Sequence, residues 1–224
     1  MSSVSDLFSP ETRFYRFFET IWELFALNIL FILTCLPIVT VGISATALCQ
    51  SIQAMLRDEK PLSVYFSVWK TDFKQSTAVW IPMLGMLVAL VAYYYLFVFV
   101  PENPSFWGLL GILALTAVYL AVAAWLFSLM AQFNNTTANH LKNAAVLAIA
   151  HPVKSLMMAA LMLVPVIVML ISPYWFFRFG FIWISVGASG VCYLHQRIVR
   201  PVMKVMIRKA RKEAGLEETE EISE

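Results

Sequence analysis

The sequence predicts an all-α protein, a polytopic membrane helix bundle of about six spans with short interfacial helices on its cytoplasmic side. Three observations support this: the composition, the length of the apolar segments and the distribution of positive charge. Hydrophobic residues make up 60% of the 224 residues and charged residues 13%, whereas soluble domains average roughly 25% charged residues. Because a soluble domain could not enclose so much apolar surface, we expect lipid to surround the chain.

The first segment predicts a helix with Ser9 as its N-cap and a membrane span over residues 17–36. Its aromatic side chains surround a narrow polar stripe at helical spacing, formed by Arg16, Glu19 and Glu23. An ionisable side chain at the bilayer centre costs at least about 2.5 kcal/mol unless it is paired. These three residues are therefore candidates for an ion pair anchored in the lipid headgroups, or for a site that binds a partner helix or an ion.

A helix break follows at Pro37, because proline lacks an amide donor and disfavours helix at the residue before it. Gly42 then supplies a flexible point, and residues 43–56 predict a second, weaker helical segment. That segment is too polar to face lipid on all sides, so it crosses only if neighbouring helices shield it or the membrane thins around it. We name Pro37, Thr40 and Gly42 as candidates for a docking or hinge feature.

The number of spans depends on whether residues 17–56 hold two spans or one span kinked at Pro37. Two spans give six in all, with both termini on one side, and place every one of the 16 lysines and arginines except Arg178 on one face. One kinked span gives the alternative of five and also leaves Arg13 and Arg16 on the opposite face. The positive-inside rule favours six, and both topologies put the C-terminus in the cytoplasm. The clearer spans are residues 77–100, 105–131, 155–173 and 179–199.

The connections on the cytoplasmic side contain two related segments, residues 66–76 and 146–156. Each places mixed apolar and polar residues before a lysine that opens a span, which predicts a short interfacial helix, with plain loop as the alternative. Phe73 and Lys74 are candidate partner residues in the first of them. The polar residues 134–137 predict a break and an N-cap for a helix that begins near Ala138.

We divide the chain into a membrane helix bundle over residues 1–202 and a cytoplasmic tail over residues 203–224, basic at first and then acidic. The extracellular turns, around residues 101–104 and 173–178, are too short to form a substrate-binding domain.

Residue types that carry chemistry are few. Cys35, Cys49 and Cys192 are widely spaced, with no pairing or metal-ligand spacing, and we interpret them as small buried apolar side chains. No serine or cysteine stands near a histidine and an orienting acid, as a nucleophile would require. We therefore expect a non-enzyme without cofactor or metal and without a nucleic-acid partner.

Several short segments resemble the YesL-like family of small bacterial membrane proteins. They are Asn28, the run Leu-Pro-Ile-Val-Thr-Val-Gly over residues 36–42, then Ala45 and Ala47, and the connection with Phe66 and Phe73-Lys74-Gln75-Ser76. The Leu-Pro-Ile-Val-Thr-x-Gly run is the most specific part, and the rest of the resemblance is a hydropathy pattern over most of the chain. The chain departs from the family at Ile43, where members often have proline.

The resemblance implies an association with sugar uptake, since family members resemble accessory genes of carbohydrate ABC-type importers, often in Gram-positive bacteria. We therefore predict a non-catalytic accessory subunit of the bacterial cell membrane that contacts lipid and packs laterally against importer permease subunits. The alternative is a small homo-oligomeric transporter or channel, with a water-accessible path near Glu19, Glu23, Asn28 and Gln50.

Overall fold

The computed structural model describes residues 13–100 and 105–213, and all secondary structure within those ranges is helical. The predicted N-cap at Ser9, the turn at residues 101–104 and the acidic end of the tail, residues 214–224, lie outside the described residues. The all-α helix bundle is confirmed. Its helices are α1 (Arg13–Cys35), α2 (Val41–Met55), α3 (Pro61–Thr71), α4 (Phe73–Tyr94), α5 (Phe106–Met130), α6 (Thr137–Ala150), α7 (Pro152–Ile171), α8 (Pro173–Arg178), α9 (Gly180–Ile182) and α10 (Ala188–Glu213).

Residues 17–56 form two helices rather than one kinked helix. A bend at Pro37 and a 3₁₀ turn, Ile38–Thr40, separate α1 from α2. The Thr40 hydroxyl donates to the carbonyl oxygen of Thr34 over 2.6 Å, which closes the turn. The start of α1 lies beside the end of α2, since both line one cleft. The two helices are therefore an antiparallel hairpin.

Five helices are long and apolar enough to cross a membrane, which supports a membrane protein: Arg16–Cys35, Ile38–Met55, Phe73–Phe97, Phe106–Met130 and Pro152–Ile171. They are not the five spans of the alternative topology, because they count α1 and α2 separately. Among the described residues, the predicted span at residues 179–199 is not one of the five. It lies in α9, a π-helical turn (Trp183–Gly187) and α10, where His195, Gln196 and Arg197 reduce the apolar character.

Helix α2 is the centre of the bundle and packs against α1, α3, α4, α5 and α10. In its apolar stretch 56% of residues are buried, compared with 11% in α1. Neighbouring helices therefore shield the polar side chains of Ser51 and Gln53, which is one of the two alternatives that the sequence left open, and α1 lies at the edge of the bundle.

The two interfacial segments are helical, but their bounds differ from the prediction. Helix α3 ends at Thr71 and α4 begins at Phe73, so residues 66–76 cross a break at Asp72, whose carboxylate accepts a hydrogen bond from Gln50 (3.0 Å). Similarly, residues 146–156 cross a break before Pro152, which starts α7 as proline commonly starts a helix. The predicted cap of α6 is confirmed, because the Thr136 hydroxyl accepts from the amide of Asn139 (3.4 Å).

Helix α10 continues through the predicted boundary between residues 202 and 203. Val202 and Met203 are 7% and 1% exposed and belong to the hydrophobic core. The first part of the basic segment is therefore packed against the bundle.

Candidate functional site

A cleft of about 700 Å³ lies between the start of α1, the turn after α2 and α10. We call it the charged cleft. Basic and acidic side chains line it in equal numbers, together with Thr20, Met55, Leu56 and Tyr193. The charged residues are Arg16, Lys60, Arg197 and Arg200, and Glu19, Glu23, Asp58 and Glu59.

The turn after α2 brings its acidic residues to this cleft through a helix C-cap. Asp58 has a positive φ of 59°, a left-handed conformation that Asp adopts more readily than most residues. The amide of Glu59 donates to the carbonyl oxygen of Ala54 (3.0 Å), and that of Asp58 donates to Met55 (3.2 Å). This is the Schellman pattern, which reverses the chain sharply after a helix.

Among the described residues, no ion pair joins two of the charged side chains that line the cleft. Within the described part of the chain, the ion pair found is between Arg57 Nε and Glu59 Oε1, at 3.1 Å. Arg16 and Glu19, which the sequence places one turn apart, form no such pair in that same part of the chain. Arg197 donates to the hydroxyl of Tyr193 (2.6 Å). The cleft can therefore offer both positive and negative groups to a polar partner.

Asn28 lies elsewhere, fully buried between α1 and the π-helical turn. Its amide nitrogen donates to the carbonyl oxygens of Ile184 (2.6 Å) and Trp183 (3.2 Å), and its oxygen accepts from the amide of Ser189 (2.9 Å). A π-helical turn interrupts the regular hydrogen-bond ladder of a helix. The Asn28 side chain replaces bonds lost there, so its role is to fasten α1 to the last helix.

The segment from Pro37 to Gly42 is fastened to α4. The Trp80 indole donates to the carbonyl oxygen of Ile38 (2.7 Å). A Cβ atom at Gly42 would lie 2.8 Å from the carbonyl oxygen of Ser76 and would also collide with the Trp80 side chain. Gly42 is thus a close helix contact. The segment also leaves large apolar side chains exposed, namely Leu36, Ile38 and Val39.

Phe73 and Lys74 are exposed at the start of α4. Beside them, the Gln75 side chain donates to the carbonyl oxygen of Asn135, which ties α4 to the turn before α6. The structure therefore brings Arg16, Glu19 and Glu23 together in the charged cleft. The other candidates do not line this cleft; they are Asn28, Pro37, Thr40, Gly42, Phe73 and Lys74.

A buried polar layer, formed by Gln53, Ser128 and Gln196, was missed by the sequence analysis. Gln53 Nε2 donates to Gln196 Oε1 (3.0 Å), and Gln196 Nε2 donates to Ser128 Oγ (3.0 Å). The layer joins α2, α5 and α10. Glutamine in an apolar helix is a visible signal, but nothing in the sequence pairs residues this far apart.

Two further cavities lie along the same three helices, one on each side of the polar layer. The first, the apolar cavity, measures about 340 Å³ and contains Cys49, Cys192 and His195 in an otherwise apolar wall. The sulfurs of Cys49 and Cys192 are 3.5 Å apart, a contact that the sequence analysis did not predict. The second, the basic cleft, measures about 190 Å³ and is lined by Gln53, Leu56, Arg57, Gln132, Gln196, Arg200, Met203, Lys204 and Ile207.

Within the described ranges, no group of three or more His, Cys, Asp or Glu side chains is placed to hold a metal ion. The clefts and cavities described above offer charged groups, hydrogen-bonding groups and apolar contact.

A family model described as "Protein of unknown function, DUF624" matches residues 24–94. The matched segment runs from α1 to α4 and includes Asn28, the break at residues 36–42 and the start of α4. It confirms the predicted family resemblance over the residues that carry it. No curated protein and no solved structure matches the chain.

Proposed function

Residues 24–94 match the family model of a domain of unknown function, DUF624. We propose that the chain is a non-catalytic membrane accessory subunit. In this proposal α1 packs laterally against the permease of a carbohydrate ABC-type importer. The chain lies in the bacterial cell membrane, with several passes and its C-terminus in the cytoplasm.

The exposure of α1 is the observation that carries the proposal. It is the least buried of the candidate spans in the described part of the chain, at 11%, and Asn28 fastens its inner side to the last helix. Its outer side presents large side chains, which include Trp22 (66% exposed) and Phe17 (60% exposed). Rigid aromatic side chains are the type most enriched where proteins contact one another.

The charged cleft lies beside the exposed face of α1, and its charged side chains favour a protein as the partner of that face. Glu19 and Glu23 lie within the candidate span Arg16–Cys35, where hydrocarbon alone would solvate them poorly. Because the cleft also contains cations that form no ion pair among the described residues, a partner with charged or amide groups would satisfy both signs. Importer permeases are proposed as that partner because the family resemblance implies an association with sugar uptake.

Affinity purification from native membranes in a mild detergent tests the proposal. We expect the permease to copurify with the wild-type chain, and with a control that carries Val88→Ala and Leu113→Ala on the exposed faces of α4 and α5. The double variant Phe17→Ala and Trp22→Ala should lose most of the permease while keeping its thermal stability. Purification of the wild-type chain alone, or only as its own oligomer, would overturn the proposal.

A small homo-oligomeric transporter is the second candidate, and the two cavities stacked about the Gln53, Ser128 and Gln196 layer favour it. Asn28 does not support the path predicted from sequence, because it is fully buried and bonded within the chain. A transporter predicts that a membrane-impermeant maleimide labels Cys49 or Cys192 in intact vesicles of a Cys35→Ala variant. Labelling by a membrane-permeant maleimide alone favours the accessory subunit.

A further inference from the structure

The basic cleft is lined by basic side chains and by no acidic side chain of the described residues, whereas the charged cleft is lined by both in equal numbers. Its charged lining residues are Arg57 from the end of α2, and Arg200 and Lys204 from α10. Arg57 has an ion-pair partner, Glu59, and this carboxylate does not line the basic cleft. The cleft is therefore an electropositive recess between helices.

Amide side chains form the inner wall of this recess. Gln53 and Gln196 are 8% and 2% exposed, and their bonds to each other and to Ser128 hold them in place. Gln132 Oε1 is buried and has no hydrogen-bond partner in the described part of the chain. A buried acceptor without a partner is costly, so a ligand that donates a hydrogen bond to it would be favoured.

The position of the recess matches the depth of lipid headgroups. Arg57 lies just beyond the candidate span Ile38–Met55, and Arg200 and Lys204 are exposed positions of α10 that come after Gln196, on the same side of the polar layer. Basic recesses between membrane helices at this depth are suited to anionic headgroups.

We propose that the basic cleft binds a phosphate ester that carries hydroxyl groups. Arg57, Arg200 and Lys204 contact the phosphate, and Gln132 accepts a hydrogen bond from a hydroxyl of the ester. The same chemistry is found in the headgroup of phosphatidylglycerol and in a soluble ester such as glycerol 3-phosphate. The proposal does not depend on the accessory role, because its test measures ligand binding by the chain alone, although Arg200 lines both clefts.

Native mass spectrometry and lipid titration of the full chain in nanodiscs test the lipid source. We expect phosphatidylglycerol to bind about tenfold more tightly than the zwitterionic phosphatidylcholine. It should also bind more tightly than phosphatidylethanol, which has the same charge as phosphatidylglycerol and no headgroup hydroxyl. Glycerol 3-phosphate, added to the chain in neutral detergent, tests the soluble source through a rise in the melting temperature.

The double variant Arg200→Gln and Lys204→Gln should reduce phosphatidylglycerol binding about tenfold. The control is the double variant Arg208→Gln and Arg211→Gln, which removes the same charge from the same helix outside the cleft and should leave binding unchanged. Gln132→Leu should abolish the preference for phosphatidylglycerol over phosphatidylethanol. Melting temperatures of all variants check that the chain is folded.

Tighter binding of either hydroxyl-bearing ester, lost only in the Arg200 and Lys204 variant, supports the proposal and identifies the source. Equal loss in both double variants would overturn it, because it would show general attraction to a basic helix. Failure of both phosphatidylglycerol and glycerol 3-phosphate to bind would overturn it as well. A hydroxyl preference that survives Gln132→Leu would contradict the role of Gln132.

Discussion

At the scale of single residues, the segment that the family model matches, residues 24–94, contains residues whose roles follow from their contacts with the backbone of other helices. Asn28 completes the hydrogen bonding of the π-helical turn, and Gly42 allows α2 to approach α4. From sequence, Gly42 was a candidate for a docking or hinge feature, and Asn28 was a residue of the family resemblance and of the predicted water-accessible path. Their surroundings instead favour internal roles, which leaves Arg16, Glu19 and Glu23 as the candidates that share a surface cleft.

Replacement of Asn28 by Ala should destabilise the chain by about 1–3 kcal/mol, because the buried amide of Ser189 and the partly buried carbonyl groups of Trp183 and Ile184 would lose a partner. Unfolding in mixed detergent micelles measures this change. The matched control is Ser63→Ala, which removes an exposed hydrogen bond to Lys60. Equal stability of the Asn28 variant and this control would contradict the fastening role.

Replacement of Gly42 by Ala should cost about 1–3 kcal/mol, since the new methyl group has no space against Ser76 and Trp80. The control is Gly85→Ala in α4, where nothing lies within 4 Å of the added Cβ. The melting temperature in detergent should fall for the first variant and stay level or rise for the second. A fall of the same size in both would refute the close contact.

At the scale of helices, the local sequence predicted where helices break better than it predicted which helices contact one another. Proline and the capping threonine mark breaks through local backbone chemistry, so the C-terminal end of α1 and the start of α6 could be predicted. The break at Asp72 could not, because its bond to Gln50 comes from another helix. The same holds for the layer of Gln53, Ser128 and Gln196, whose members are separated along the chain.

His140 in helix α6 should make the stability of the chain depend on pH, because this residue is only 2% exposed. Burial lowers the pKa of His140 below its ordinary value of 6.5, so the unfolded chain binds a proton at higher pH than the folded chain. The contribution of His140 to the free energy of unfolding should therefore be constant above about pH 6.5 and decrease as the pH falls below it. Chemical unfolding at pH 7.5 and 5.5 measures this difference, and His140→Gln should reduce it. The same acid sensitivity in that variant would contradict the assignment.

At the scale of the whole molecule, α2 and the last helix form a shared core, although the residues that join them are far apart in the sequence. The contact of Cys49 with Cys192 lies in that core. Charge distribution predicted that both ends of the α1–α2 hairpin face one side, and the shared charged cleft is consistent with that arrangement. Apolar periodicity alone does not determine which helices become neighbours.

A mild copper-catalysed oxidation should link Cys49 to Cys192 within one chain, because their sulfurs are already 3.5 Å apart. Peptide mass spectrometry after proteolysis identifies the linked pair. Cys49→Ser should remove it. A link from Cys35 to either of the other cysteines, in place of this one, would show that α2 and α10 are not neighbours.

The most direct test of the central claim is photocrosslinking in living cells, with a photoreactive amino acid placed at Trp22 on α1 or, as a control, at Val88 on α4. The two side chains are 66% and 61% exposed, so access is comparable. We predict that the position of Trp22 crosslinks to a permease subunit of a sugar importer and that the position of Val88 crosslinks to lipid alone. Lipid adducts alone at both positions, or links only between copies of this chain, would contradict the accessory role.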